Sequence, residues 1–107
     1  MNRKIAESWL GAFQARDISL LQLADDFVHT SPFGEIRGRD AYLDLVRANE
    51  EAFFSNIITI IDFIDGGDRF AVRYVVGSMP ACDWIYVRDG QIAKVYSYYH
   101  FGEKPVL

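Results

Sequence analysis

The sequence predicts an α+β domain in which helices pack on one face of a curved antiparallel sheet. Three observations predict it. Helix-period apolar spacing is confined to the first half of the chain, up to Phe54. From Asn56 onward the period changes to two and β-branched residues dominate. Asp89-Gly90 then joins two strand patterns, and an Asp-Gly pair in that setting is the strongest short-range hairpin signal, because both residues tolerate positive φ.

The elements follow in order. Ile5, Trp9 and Phe13 stand four apart, with Ala6, Leu10 and Ala12 beside them, so residues 3–15 form an amphipathic helix with Asn2 as its cap. Arg16-Asp17 breaks it, and Asp17 caps a short second helix running to Leu23 through Leu20 and Leu21. Asp25 to Gly34 reads as a short strand ending in a turn. Alternation puts Phe27, His29 and Ser31 on one face, while Pro32 stops the pairing and Gly34 bends the chain. After Gly38 comes a helix of about fifteen residues, ending at Phe54, with Tyr42, Leu45, Val46, Asn49 and Phe53 as its inner stripe. Asn56–Ile64 is a β-branched strand, Asp65-Gly66-Gly67-Asp68 a turn, and Arg69–Gly77 a second strand. Ser78-Met79-Pro80 leads into the hairpin stretch Asp83–Lys104, which the rest of the chain closes over.

Composition bounds the function. At 107 residues the chain suits one domain, residues 1–107, with one core. A net charge of −4 and scattered basic residues argue against nucleic acid and anionic membrane as partners. Cys82 is the one cysteine, so no internal disulfide forms and the reducing cytoplasm is the expected home. No apolar run approaches the ~20 residues that span a bilayer. The N-terminus reads as a helix and not as a signal peptide. His29 and His100 with nearby acids lack metal-ligand spacing, so neither metal nor cofactor is expected.

The helix ending in Arg16-Asp17, the run Asp25–Gly34, the Gly38-Arg39-Asp40-Ala41-Tyr42 segment and the run Asp83–Ile92, in that order, resemble the SnoaL-like, ketosteroid-isomerase-like members of the nuclear transport factor two-like superfamily. The resemblance covers nearly the whole chain. It implies a cone-shaped, cystatin-like fold with a curved sheet wrapped around three helices. That fold hosts unrelated activities, so function rests on the site. In ketosteroid isomerases an Asp before a Pro-x-Gly turn is the base, a Tyr on the first helix donates to the oxyanion, and a protonated Asp on a late strand donates as well. By resemblance these positions are Ser31, Trp9 and Asp83 here. The epoxide hydrolases of the superfamily use an Arg and an Asp on the late strand and a further Asp on the last one. Ala81 stands at the Arg position and Ser97 at the last-strand Asp position. The chain resembles the pocket and departs from both catalytic sets.

Alternation anchored on an inward Asp83 also turns Ile85 and Val87 inward, and the resemblance adds Val95, Ser97 and Tyr99 from the last strand. With His29, Ser31 and the apolar walls Trp9, Phe13, Phe33 and Phe53, this describes an aromatic pocket with few polar groups, suited to a small hydrophobic molecule. Asp83 is either a desolvated acid–base group or a strand-edge acid hydrogen-bonded to backbone or solvent. His29 is either a base facing Asp83 or a core histidine satisfied by a hydroxyl. Ser31 and Ser97 lack a nucleophile-elbow context. His100 falls on the face opposite Tyr99 unless a bulge intervenes. Trp84, Tyr86, Tyr96 and Tyr98 make an outer face too aromatic to stay wet on a monomer, which points to a homodimer, as in the resembling proteins. Three readings follow: an acid–base enzyme on a small carbonyl-bearing or cyclic substrate, with Asp83 as acid or oxyanion donor and His29 as base; a non-catalytic binding protein; and an interaction module using the sheet face.

Overall fold

In the computed structural model, which describes residues 1–101, one six-stranded sheet runs in the order β2-β1-β6-β5-β4-β3. The strands are β1 (Leu23–Ser31), β2 (Gly34–Arg37), β3 (Ile58–Asp65), β4 (Arg69–Val76), β5 (Met79–Arg88) and β6 (Gln91–Tyr99). The helices are α1 (Asn2–Ala15), α2 (Arg39–Ala48) and α3 (Glu50–Phe54). Gly102–Lys104, the end of the stretch over which the chain was expected to close, lie outside the described residues. The expected curved sheet with three helices is present.

α1 buries Ala6, Trp9, Leu10, Ala12 and Phe13, the stripe that its spacing predicts. It ends where Arg16 adopts the left-handed conformation (φ 57°), with its N–H returned to the last turn. Asn2 does not cap it. The Asn2 side chain instead donates to the Gly67 carbonyl at 2.9 Å, tying α1 to the β3–β4 turn. Asp17 does cap, accepting from the Ser19 backbone N–H at 3.0 Å, but the element is one 3₁₀ turn, Ile18–Leu20. Leu23 already belongs to β1, where it is buried.

Two further expectations are corrected. Gly34–Arg37 is a strand, paired antiparallel to β1 with Ser31 opposite Gly34, so Pro32 ends one strand without ending the pairing. The helix after Gly38 is broken at Asn49, whose backbone (φ −132°, ψ 34°) leaves the helical region. Its side-chain amide donates to the Leu45 carbonyl at 2.8 Å, a local side-chain bond that competes with helix continuation. Tyr42 and Val46 are fully buried and Leu45, though partly exposed, lines the cavity between helices and sheet, whereas Asn49 is exposed.

The β5–β6 hairpin turns at Asp89 (φ 53°) and Gly90 (φ 73°), the positive pair a tight two-residue turn requires. Asp83 stands directly opposite Ser97, and Ile85 opposite Val95. The register shifts beyond Tyr86, leaving Ala93 as the extra residue of a bulge, so that Ile92 and Val95 both turn inward. Four of the five strand pairings are antiparallel. β1 runs parallel to β6, with His29 beside Val95. That junction brings the early strand's histidine next to the last strand's serine.

Candidate functional site

Alternation along β5 gives Asp83, Ile85 and Val87 to the inner face, and all three are buried. Asp83 is only 1% exposed, so its carboxyl must be satisfied by the protein. Trp9 Nε1–H donates to Oδ2 at 2.7 Å, and the Tyr74 hydroxyl donates to Oδ1 at 3.0 Å. Burial pushes the carboxyl up from 3.8 to about 6, while the Trp9, Ser97 and Tyr74 donors pull it down. Desolvation outweighs three hydrogen bonds, because two of the donors are neutral hydroxyls and none is a cation.

His29 Nε2 and Ser97 Oγ are 2.9 Å apart. The imidazole is part-buried, and burial lowers it from 6.5 to about 4, so it is neutral at physiological pH. Ser97 therefore lies between the two titratable groups that the sequence singles out. Trp9 holds the arrangement from above: its ring meets Phe13, Phe27, His29 and Tyr42 at centroid distances of 5.4 to 5.8 Å.

These groups line a cavity of about 350 Å³ between α1, α2, α3 and the inner sheet face. That volume lies at the lower end of the range for small-ligand sites, roughly 300–1,000 Å³. Trp9, His29, Ser31, Phe33, Phe53, Asp83, Ser97 and Tyr99 all border it. Ile85 does not: it is fully buried in the core against the helices and plays no part in the wall. Phe33, expected as wall, is 79% exposed and stands at the mouth, where its ring meets Tyr99 and Phe101 at 5.9 and 5.6 Å. His100 is exposed, beyond the end of β6, and its backbone N–H donates to the Pro80 carbonyl.

Tyr74 and Ile36 border the cavity without having been identified from sequence, and Tyr42 was placed on an inner helix stripe but not at the site. Tyr74 was legible: Phe70, Val72 and Tyr74 share one face of β4, and a phenol at an inward strand position needs a partner. Ile36 was not, because it lies on the unanticipated β2. Among the described residues, Asp83 is the only charged side chain at the cavity, and no Lys or Arg of theirs lies on its wall. Among the described residues, no three His, Cys, Asp or Glu side chains converge in a way that would hold a metal ion. No helix there is long and apolar enough to cross a membrane.

On the outer face Trp84 is 41% and Tyr98 57% exposed, and Tyr86 and Tyr96 are half-buried. Arg69 lies over the Tyr86 ring and Lys94 over the Tyr96 ring.

A bent sheet that holds one desolvated carboxyl at the wall of an aromatic cavity defines a class of α+β pocket proteins with the cone-shaped fold. Residues 6–95 match the sequence profile of the SnoaL-like domain, and the chain belongs to that family. Solved structures agree in fold. A SnoaL-like protein of unknown function from Burkholderia thailandensis is 20% identical, with 92% of this chain and 93% of that one covered and a TM-score of 0.79. IdmH of Streptomyces antibioticus, described as a candidate polyketide cyclase, is 22% identical, with 92% and 91% covered and a TM-score of 0.75. A candidate ketosteroid isomerase from Kribbella flavida is 21% identical, with 99% and 82% covered and a TM-score of 0.75. At these identities the likeness shows the fold alone. No curated protein sequence gives a significant match.

Proposed function

We propose that the cavity takes a small, uncharged, largely apolar carbonyl-bearing or cyclic molecule, and that Asp83 moves a proton on it in an isomerase- or cyclase-type reaction. The observation that carries this reading is a carboxyl 1% exposed, raised to about 6, at the wall of a cavity lined by no Lys or Arg among the described residues. The sequence suggested His29 as base and Asp83 as acid or oxyanion donor. The two affinities for protons favour the reverse, since a base near 6 binds a proton about 100-fold more tightly than one near 4. In this reading the Asp83 carboxylate takes a proton from the carbon beside a carbonyl. The C–H electron pair forms the C=C bond of an enolate, and the carbonyl π pair moves to oxygen. The neutral Asp83 then returns the proton to carbon. His29 stays neutral and orients the Ser97 hydroxyl. Relatives described as candidate cyclase and isomerase support the reading at the level of fold.

The test is hydrogen–deuterium exchange at the α-carbon of 1-indanone in D₂O, followed by proton NMR. Wild type is expected to accelerate it, and Asp83→Asn to lose about 100-fold of that acceleration or more. Exchange no faster than in buffer, with the ketone bound, would leave the second reading, non-catalytic binding. One observation favours that second reading: both Asp83 oxygens are already engaged by Trp9 and Tyr74.

We also infer that two copies associate through the outer sheet face, because Trp84, Tyr86, Tyr96 and Tyr98 form one apolar patch there. A different protein on that face is the alternative outcome. The single, half-buried Cys82 fits a reducing, cytoplasmic setting.

A further inference from the structure

Trp9 and Tyr74 hold the two oxygens of Asp83 in chemically different ways. An indole N–H only donates, so Oδ2 accepts whatever the charge of the carboxyl. A phenol can donate or accept, and Asp83 is the partner of the Tyr74 hydroxyl among the described residues. When the carboxyl is ionised, Tyr74 donates to Oδ1 and turns a lone pair to its other neighbours. When Oδ1 carries a proton, the hydrogen bond reverses and the phenol proton is released. Ser97 is the other hydroxyl beside Asp83, but it is shared: it also lies 2.9 Å from His29 Nε2, where the direction of the bond follows the imidazole tautomer. Both branches reach the cavity wall, but the Tyr74 phenol, with Asp83 as its hydrogen-bond partner among the described residues, is the one whose polarity follows the carboxyl alone.

We propose that Tyr74 is a ligand-facing specificity residue whose hydrogen-bond polarity is set by Asp83: with Asp83 protonated the cavity favours neutral hydrogen-bond acceptors such as cyclic ketones, and with Asp83 ionised it loses that preference. This rests on the reading of the cavity as a site for a small neutral molecule. The other titratable groups around the pair are Tyr42 on α2, Tyr99 on β6, His29 on β1 and Cys82 beside Asp83 on β5; α1 brings Trp9, which does not titrate. Burial raises both tyrosines and Cys82, and it keeps His29 neutral above about 4. Between pH 5 and 8 Asp83 is the member of this group that changes charge.

The experiment is calorimetric binding of two matched probes, 1-indanone and 1-indanol, at pH 5, 6, 7 and 8. Wild type is expected to bind the ketone about tenfold more weakly at pH 8 than at pH 5, within the ~100-fold ceiling set by the fraction protonated. The alcohol, which can donate to the phenol as well as accept, is expected to change by less than about threefold. Asp83→Asn is the decisive variant. Its carbonyl still accepts from Trp9 and its NH₂ donates to Tyr74, so the phenol proton faces the cavity at every pH. That protein is expected to bind the ketone with the low-pH affinity throughout. Tyr74→Phe is expected to bind it weakly throughout. Ketone affinity that is flat with pH in wild type, or Tyr74→Phe keeping the full pH dependence, would overturn the role of Tyr74 and leave the cavity reading standing. Failure of wild type and Asp83→Asn to bind either probe at any pH would overturn both. Should Tyr74→Phe not fold, the wild-type and Asp83→Asn arms decide.

Discussion

Trp9 Nε1 lies 2.7 Å from Asp83 Oδ2, joining the first helix to the fifth strand across 74 positions of sequence. The bond ties folding to the charge of the site. A tryptophan that would otherwise be plain core supplies a donor that a buried carboxyl has to have.

Removing that donor leaves Oδ2 unsatisfied. Trp9→Phe is expected to destabilise the fold by about 1–3 kcal/mol beyond the packing loss, and more at pH 8, where Asp83 is ionised, than at pH 5. Urea denaturation at both values checks this. An equal cost at both would mean that the indole N–H does not stabilise the charged form.

The two buried titratable groups pull stability in opposite directions. Asp83 is raised from 3.8 to about 6, so the folded state holds the extra proton between those values and stability falls as pH rises through them, by about 3 kcal/mol in all. His29 is lowered from 6.5 to about 4, so the unfolded state holds the extra proton and stability rises with pH over nearly the same window, by a similar amount. For these two groups wild type is expected to be nearly flat from pH 4 to 6.5. Asp83→Asn should leave a rising profile and His29→Gln a falling one. Matching slopes in the two variants would contradict the opposed shifts.

Gly90 makes its turn at φ 73°, and a Cβ there would meet nothing within 4 Å. The cost of Gly90→Ala is therefore backbone strain alone, about 1–2 kcal/mol, measurable by thermal or denaturant unfolding. No loss would mean that the turn relaxes to another type.

The outer face gives a prediction independent of the cavity. Trp84→Glu and Tyr98→Glu each place a charge in the aromatic patch. Sedimentation velocity should show wild type as a dimer and the variants as monomers, with the helical signal kept. A monomeric wild type would remove the proposal that two copies pair there.

Much of this was readable before folding. Asp83 was found because an acid sits at an inward position of an alternating, aromatic strand. The Asp89-Gly90 turn was found because few residue pairs accept two positive φ angles. Other features have no local signature. β2 is four residues long with just Ile36 half-buried, so it carries no alternation to detect. The helix break at Asn49 involves neither Pro nor Gly; it depends on a side-chain bond to Leu45. The parallel pairing of β1 with β6, which brings His29 to Ser97, is a long-range choice of the whole sheet. The inward face of β4 was legible, but its Tyr74 acquires meaning only from Asp83, which lies diagonally across on β5.

Trp9 offers the most direct measurement. Its indole N–H resonance reports the charge of the carboxyl that it donates to, and the chain's other tryptophan, Trp84 on the outer face, serves as the internal control. In a ¹⁵N-resolved pH titration the Trp9 signal is expected to move with a midpoint about 6 while Trp84 stays still, and the Trp9 shift should vanish in Asp83→Asn. A Trp9 midpoint near 3.8, or no movement between pH 4 and 8, would mean that Asp83 is an ordinary carboxylate held by its donors, and would contradict a proton-carrying role for it.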